Sequence, residues 1–511
     1  MYSVRHVNPP VRAMRLILWA VAAVMLLAPS PHSAMAIRIV TYNLLNYSGS
    51  RADEYKTVLN EVQPDVIVVQ EMLNGWQTTF LTDVLNAVDG PGGPGGAGSY
   101  DMATYTSGPD TNNALYYRTT VITYPGSADG GHIDLMTFPR RVDRWRLTLH
   151  DYTVEQVHFY VYSMHLKAGT DGSDEDARHD AAIIVRADAN DLPTDTNFIY
   201  AGDFNVYYSA EDAYQELIES QGDNDGRGFD PLDTPGNWHD SDPLQWVHTQ
   251  STHRNNSGAP SGAATGGLDD RFDFLLISAA LNDDDGLSYV RDPGDTYKPY
   301  GNDGQHLNDD INDNPEIPEG WDIANALHGA SDHLPVLMDV QAPAAIPYIP
   351  WVNFGAEVIV GDVAVEDLTV SNSGDLDLFG YVDDLEYTLD FDGPSDFAAP
   401  GGTFADAAGG GGNVHDITMD TSTSGSKSDL LHINNNSPDM PVRNVTVIGT
   451  VYDRGDLSRT NGVDFADVEP FINVLLDPDA ASEFDRRLAD MDENTINDGR
   501  DIQGFVDALL P

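Results

Sequence analysis

The chain contains no cysteine, and that excludes disulfides, thiolate metal sites and cysteine nucleophiles. Positive charge is scarce as well: 26 Lys and Arg stand against 82 Asp and Glu, a formal net charge of −56 over 511 residues. Such a surface repels itself and stays in solution, attracts divalent cations, and repels nucleic acid at long range. A saline or calcium-rich habitat explains the acidity without invoking any activity. No long basic stretch offsets it, so a nucleic-acid substrate must be held by local basic groups or by metal. Long apolar runs are missing too, with one exception near the start. There "LILWAVAAVMLL" follows Arg5, Arg12 and Arg15 and precedes "SAMA", with Ala34 and Ala36 at small-residue positions. That order reads as a secretory signal peptide over residues 1–36, cleaved after Ala36, and the run is short for a bilayer span. The mature chain is expected to lack a transmembrane segment and to be secreted, at the cell surface or periplasmic.

Hydrophobic residues make up 41% of the chain, enough for packed cores, and its length predicts two or three domains. Over residues 37–341, "IRIVTYNLL", "DVIVVQEM", "FYVYSMHL", "NFIYAGDFNV", "RFDFLLIS" and "HLPVLMDV" read as buried strands that end in polar groups. "EYKTVLNEV" and "DARHDAAIIVRADANDL" read as helices between them. Strand ends of this kind predict an α/β sandwich with its site along one edge of the sheets. The Pro/Ala-rich "QAPAAIPYIP" marks a linker, residues 342–350. Beyond it, over residues 351–452, "LTVSNSGD", "DLLHINNNS" and "NVTVIGTV" are alternating strands between Asn/Gly/Ser turns, which predicts an all-β sandwich. Their order resembles the immunoglobulin-like modules of secreted multidomain proteins, for which a spacer role is the plain reading.

Residues 453–511 contain an internal repeat. "DLSRTNGVDFADVEPFINVLL" is followed by "DMDENTINDGRDIQGFVDALL", with Asp456 and Asp490 starting the copies, 490 − 456 = 34 residues apart. Oxygen-bearing side chains recur at positions one, three, five, nine and twelve. They are Asp490, Asp492, Asn494, Asp498 and Asp501 in the second copy, and Asp456, Ser458, Thr460, Asp464 and Asp467 in the first. This is the spacing by which a tight loop wraps oxygens around Ca2+ before a helix begins. Neither copy has Gly at position six, where Asn461 and Thr495 stand. The duplicated loop-helix resembles a dockerin, a small calcium-folded α module that docks onto a protein partner; an acidic solvated tail is the bland alternative.

The polar strand ends of the first region carry the chemistry. Asn43 lies in "VTYNLL", Glu71 ends "DVIVVQE", His165 lies in "SMHLKAG", Asp203 and Asn205 lie in "YAGDFNV", and Asp273 lies in "RFDFLLIS". Asp332 and His333 stand before the apolar run Leu334 to Val340. Singly, each has a dull explanation: a helix start for Glu71, an Asx turn for Asp203 and Asn205, a satisfied half-buried imidazole for His165. Together they suit phosphoester hydrolysis. A carboxylate such as Glu71 can hold a hard divalent cation with Asn43 as neighbour. Asp203 can deprotonate a water, Asn205 can donate to a phosphate oxygen, and His165 can protonate or stabilise the leaving oxygen. His333, if paired with Asp273, gains a raised pKa and can donate to phosphate as imidazolium. No covalent intermediate is needed.

In this order "TYN", "QE", "HLKAG", "GDFN", "RFD" and "SDH" resemble the endonuclease/exonuclease/phosphatase superfamily, over residues 37 to about 340. The resemblance implies a four-layer α/β sandwich and an Mg2+ (or Mn2+) site. It puts Glu71 on the metal with Asn43 beside it, and Asp332 as a metal-side carboxylate. It puts Asp203 and Asn205 at the nucleophile and phosphate, Asp273 behind His333, and His165 where some members have histidine and others tyrosine. Several members carry an acidic residue two places after the first Asn; Leu45 stands here, so a second metal is not implied. Tyr117 and Arg118 in "ALYYRTT", and Arg178, are expected to meet phosphates or brace the site. Nucleic acid is the expected substrate. A sphingomyelinase-like phosphodiesterase is the alternative, but no exposed apolar loop to enter a lipid surface is evident in the sequence. A non-catalytic surface-assembly protein is the alternative from another class. The Asp/Asn/Pro-rich stretch from Asp292 to Ala330 is expected to form a rim loop.

Overall fold

The computed structural model describes residues 36–89, 92–152, 154–291, 296–460 and 462–510. The signal-peptide reading, apart from Ala36, and Asn461 lie outside the described residues. Two sheets face each other over the first part of the chain. Their strands are β1 (Ile37–Tyr47), β2 (Val66–Met72), β3 (Tyr100–Met102), β4 (Asn112–Arg118), β5 (Ile122–Thr123), β6 (His132–Leu135) and β7 (Val142–Leu149). They continue with β8 (His158–His165), β9 (Asn197–Asp203), β10 (Asp273–Ile277), β11 (Ser288–Tyr289), β12 (Lys298–Pro299) and β13 (Val336–Gln341). One sheet has the order β11-β13-β1-β2-β4-β3 with β12 also on β13; the other has β10-β9-β8-β7-β5 with β6 also on β7.

The period of two along each strand explains why these runs are apolar throughout. Ile37, Ile39, Val66 and Val68 of the first sheet meet Phe159, Val161, Ile199 and Ala201 of the second between the sheets. Their alternates, Val40, Tyr42, Ile67 and Val69, face outward onto α1 (Ala52–Val62). Tyr162, Met164, Phe198 and Tyr200 likewise face α2 (Gly172–Asn190) and α3 (Asp212–Ile218). With α4 (Trp321–Ala330) packed beside α1, the result is α/β/β/α in four layers.

Three expectations change. Strand β13 starts at Val336, not at His333, because Pro335 has no N–H to give a ladder; Asp332 and His333 lie in the turn between α4 and β13. The stretch before them is not all rim loop, since its last ten residues are α4. The linker is a packed junction: Ala342 is buried with the inter-sheet core, Ala344 and Ile346 with the next core. Ala342 N–H donates to Tyr381 O at 2.9 Å, and Asp383 N–H to Ala342 O at 2.8 Å.

Residues 351–452 form two facing sheets. Trp351–Asn353, Val442–Tyr452, Gly425–Asn435, Leu385–Phe391 and Thr403–Asp406 run side by side in one, with Val358–Ile359 also on Val442–Tyr452; Ala364–Val370, Asn413–Met419 and Phe397–Ala398 form the other. Leu368, Val370, Ile417, Leu431, Ile433, Val445 and Val447 fill the space between. Beyond them come α5 (Val468–Leu476), α6 (Glu483–Ala489) and α7 (Asp501–Leu509). The repeat is symmetric in detail. Phe471 and Phe505, equivalent positions in the two copies, stack with ring centroids 4.0 Å apart and 7° between planes. Asp464 N–H donates to Asp467 Oδ2 at 2.7 Å in one loop, and Asp498 N–H to Asp501 Oδ2 at 2.9 Å in the other. Thr460 and Asn494 N–H donate to Asp456 and Asp490 Oδ1, both at 3.0 Å. Carboxylate oxygens of Asp490, Asp492 and Asp501 lie within 4.8 Å of one another. The first loop, with Ser458 and Thr460 in place of Asp492 and Asn494, shows no such group of three among the described residues. No described helix is long and apolar enough to cross a membrane.

Candidate active site

Strand register assembles the site. β8 runs parallel to β9 with His165 opposite Asp203, and β10 runs antiparallel to β9 with Asp273 opposite Asp203. One row across three strands therefore presents His165, Asp203 and Asp273 at a single sheet edge. The other sheet adds Asn43 and Glu71 where β1 and β2 end. Pairing there is irregular, with register shifts between Asn43 and Tyr47 and between Val69 and Met72. Glu71 at φ 55° and Asn205 at φ 53° both occupy the left-handed region that non-glycine residues avoid. Such strain persists where surrounding contacts fix it, and it re-aims a side chain that a regular pleat would send elsewhere.

The groups converge closely. His333 Nδ1 is 2.7 Å from Asp273 Oδ2, and its Nε2 is 3.8 Å from Asp203 Oδ2. His165 Nε2 is 3.5 Å from Asp203 Oδ2 and 3.8 Å from Glu71 Oε1. Asn43 Nδ2 donates to Asp203 Oδ2 at 3.1 Å and to Glu71 Oε1 at 3.3 Å, tying the two sheets together. Its Oδ1 accepts from Leu45 N–H at 3.0 Å, so the amide nitrogen, not the oxygen, faces the carboxylates. Asn205 N–H donates to Asp203 Oδ1 at 3.0 Å, an Asx turn. Asn205 Nδ2 reaches Leu166 O at 3.4 Å. Asp332 Oδ2 accepts from Ala264 N–H at 2.7 Å, while its Oδ1 is buried without a partner.

Burial sets the charges. Desolvation, reinforced by Asp273 and Glu71, pushes the Asp203 carboxyl up to about 7 despite His333. Desolvation also raises Glu71, with Asp332 adding to it. For His333 burial acts downward, but Asp273, Asp203 and Asp332 outweigh it and hold the imidazole well above its ordinary value. His165 is driven well below its ordinary value by burial, then by Arg140 and His333. Its Nδ1 is buried without a hydrogen-bond partner. The excess of acid at this edge, the raised Glu71 and Asp203 carboxyls, and the orphaned Asp332 Oδ1 fit a hard divalent cation.

Two expected residues lie elsewhere. Tyr117 pairs with Val66 at the far end of β2 from Glu71, because β4 runs antiparallel to β2, and its ring packs near Tyr124. Arg118 there binds Asp65 at 2.9 Å and Tyr100 Oη at 2.9 Å. The site-facing end of that strand is Asn112 and Asn113; Asn113 Nδ2 donates to Ser163 O at 3.0 Å. Arg178 is buried and braces: it pairs with Glu211 and donates to Lys167 O and Gly169 O at 2.7 and 2.9 Å. Sequence reading missed Gln250, whose side-chain amide lies 2.6 Å from His333 Nε2, and Ser331, whose Oγ donates to Asn43 O at 2.7 Å. It also missed Arg140, whose Nη1 donates to Leu166 O at 2.9 Å, the same carbonyl that Asn205 reaches. Only Arg140 left a trace, as half of a rare basic pair in an acidic chain.

The pattern of the Endonuclease/Exonuclease/phosphatase family matches residues 40–333, more than half of the chain. The protein belongs to this family, a class of phosphoric ester hydrolases with phosphodiesterase and nuclease activities. Among solved structures, D. rerio TDP2 complexed with single strand DNA product is 16% identical, covering 60% of this chain and 99% of that one with a TM-score of 0.39. The human nocturnin catalytic domain with bound sulfate anion is 14% identical, covering 60% and 94%, TM-score 0.33. An endonuclease/exonuclease/phosphatase from Beutenbergia cavernae is 13% identical, covering 81% and 99%, TM-score 0.30. No curated protein matches the chain.

Proposed function

We propose that this protein is an exported, divalent-metal-dependent phosphodiesterase that hydrolyses nucleic acid by direct attack of water on phosphorus. The observation that carries the reading is the row His165–Asp203–Asp273, closed by His333 against Asp273 at 2.7 Å. Glu71 and Asp332 would hold Mg2+ or Mn2+, with Asn43 orienting Glu71 rather than ligating. Such an ion, when bound, neutralises the phosphate and stabilises charge developing on it. Asp203 accepts the proton of the attacking water as its oxygen bonds to phosphorus. The opposite phosphorus–oxygen bond breaks, and the leaving oxygen takes its proton from solvent. Asn205 and the His333 imidazolium donate to the non-bridging oxygens, and His165 donates to the oxygen that gains charge. Export rests on the leader-like residues 1–36. We propose Ca2+ at Asp490, Asp492, Asn494, Asp498 and Asp501, and more weakly at Asp456, Ser458, Thr460, Asp464 and Asp467, as the support of a partner-docking module.

The test compares the chain from Ile37 with its Asp203→Ala and His333→Ala variants on DNA, RNA and sphingomyelin, in magnesium, manganese or chelator. Metal-dependent cleavage of a nucleic acid, lost in both variants, is the expected result. Cleavage of sphingomyelin alone moves the substrate to lipid, and equal cutting by the variants removes the assignment.

A further inference from the structure

The loop between β6 and β7 presents the exposed apolar surface that the sequence did not reveal. Met136 and Phe138 are 72% and 75% exposed, in a region where neighbouring strands bury nearly every large side chain. The loop is held firmly. Thr137 N–H donates to Leu135 O at 2.8 Å, and Thr137 Oγ1 donates to Arg140 O at 2.5 Å. Asn113 Nδ2 donates to Arg141 O at 2.9 Å. Arg140 then ties the loop to the candidate site through Leu166 O, which Asn205 also reaches, and Phe138 precedes Arg140 by two residues in the chain. Arg140, Arg141 and Lys167 gather here in a chain with only 26 basic residues. Each keeps an acidic neighbour: Asp110 at 3.0 Å, Asp134 at 2.7 Å and Asp174 at 2.8 Å.

Resting on the phosphodiesterase reading, we propose that Phe138 is a stacking platform for an unpaired nucleobase next to the scissile phosphate, with Arg140 on the adjoining phosphate, so that the preferred substrate is single-stranded nucleic acid. An isolated exposed ring beside a fixed guanidinium matches the way proteins hold single strands: every base has a face to stack, and the cation tracks the backbone. In a duplex that face is already used. Two apolar side chains flanked by Asp110 and Asp134 make a poor membrane anchor, which needs a larger apolar area without carboxylates at its edge.

The experiment uses the chain from Ile37 with magnesium, its Phe138→Ala and Phe138→Trp variants, and four substrates: bis(p-nitrophenyl) phosphate, an oligothymidylate, a duplex and sphingomyelin vesicles. The small diester reports the catalytic site alone, and Phe138→Ala is expected to cut it at the wild-type rate. On oligothymidylate the same variant is expected to raise KM by about 5- to 150-fold, the range of one lost base–aromatic stack, with Phe138→Trp restoring it. Wild-type preference for oligothymidylate over duplex is expected to shrink with it. An unchanged KM overturns the proposal while leaving the hydrolase intact. A loss on vesicles but not on oligothymidylate assigns the loop to lipid and also overturns it. If the wild type cuts no diester, the catalytic reading and this inference fall together.

Discussion

Asp273→Asn is the perturbation that separates geometry from charge at this site. The substitution keeps the shape of a side chain with no solvent exposure, and an amide can still lie against His333 Nδ1. What it removes is the charge that outweighs burial and keeps His333 an imidazolium. A hydrogen bond to a charged partner is worth about 1.5–3 kcal/mol. A rate that depends on it should fall by about 10- to 150-fold. The loss belongs in kcat more than KM, because the phosphate oxygens carry most charge in the transition state. Stability should fall less than for Asp273→Ala, which leaves a hole and an unpaired buried ring. The assay is steady-state hydrolysis of a small diester at saturating magnesium, alongside thermal unfolding. Full activity in Asp273→Asn would refute the claim that His333 works as a charged donor; full loss with an unfolded protein would show only that the pair is structural.

Other outcomes follow from the same geometry. Arg118→Ala should lower stability by about 1–2 kcal/mol, the cost of a broken, partly buried charged pair, and leave kcat unchanged. A loss of activity in the folded variant returns that strand end to the site. His253 is held down to about 4 by burial and then by His328. The unfolded chain, with an ordinary value near 6.5, takes up its proton first, so stability is lost as pH falls from about 6.5 toward 4. His253→Asn should flatten that part of the Tm–pH curve, and parallel curves would rule the residue out. Thr495 sits at φ 68°, where a β-branched residue is strained. Thr495→Gly should stabilise the C-terminal module by about 1 kcal/mol, read as a higher Tm, and a lower Tm contradicts a left-handed loop position.

The α/β sandwich was legible because the central strands are apolar on both faces, and in such a sandwich both faces are covered; the number of layers was implied only by the family resemblance. The candidate site residues stood out for a related reason: Asp203 and His165 close apolar runs and Asp273 opens one, and strand register sets the three side by side. What the sequence hid was pairing direction. "ALYYRTT" looks like any other strand ending in charge, but its antiparallel pairing with β2 sends Arg118 away from Glu71 and brings Asn113 toward the site. Gln250 was invisible because nothing local marks a glutamine that folds back onto His333 across 83 residues. That the linker packs was hidden for a similar reason, since alanine and proline look alike whether the chain floats or packs. In the terminal repeat, spacing revealed both loops, while the stacking of Phe471 on Phe505 required the fold.

The most direct measurement is the initial rate of bis(p-nitrophenyl) phosphate hydrolysis by the wild type and Asp203→Asn, each in magnesium and in chelator. The account expects cleavage only by the wild type with magnesium, and a loss of at least about 100-fold in the variant, the lower range for a missing general base. Cleavage by Asp203→Asn at the wild-type rate, or a wild type indifferent to chelator, would contradict it.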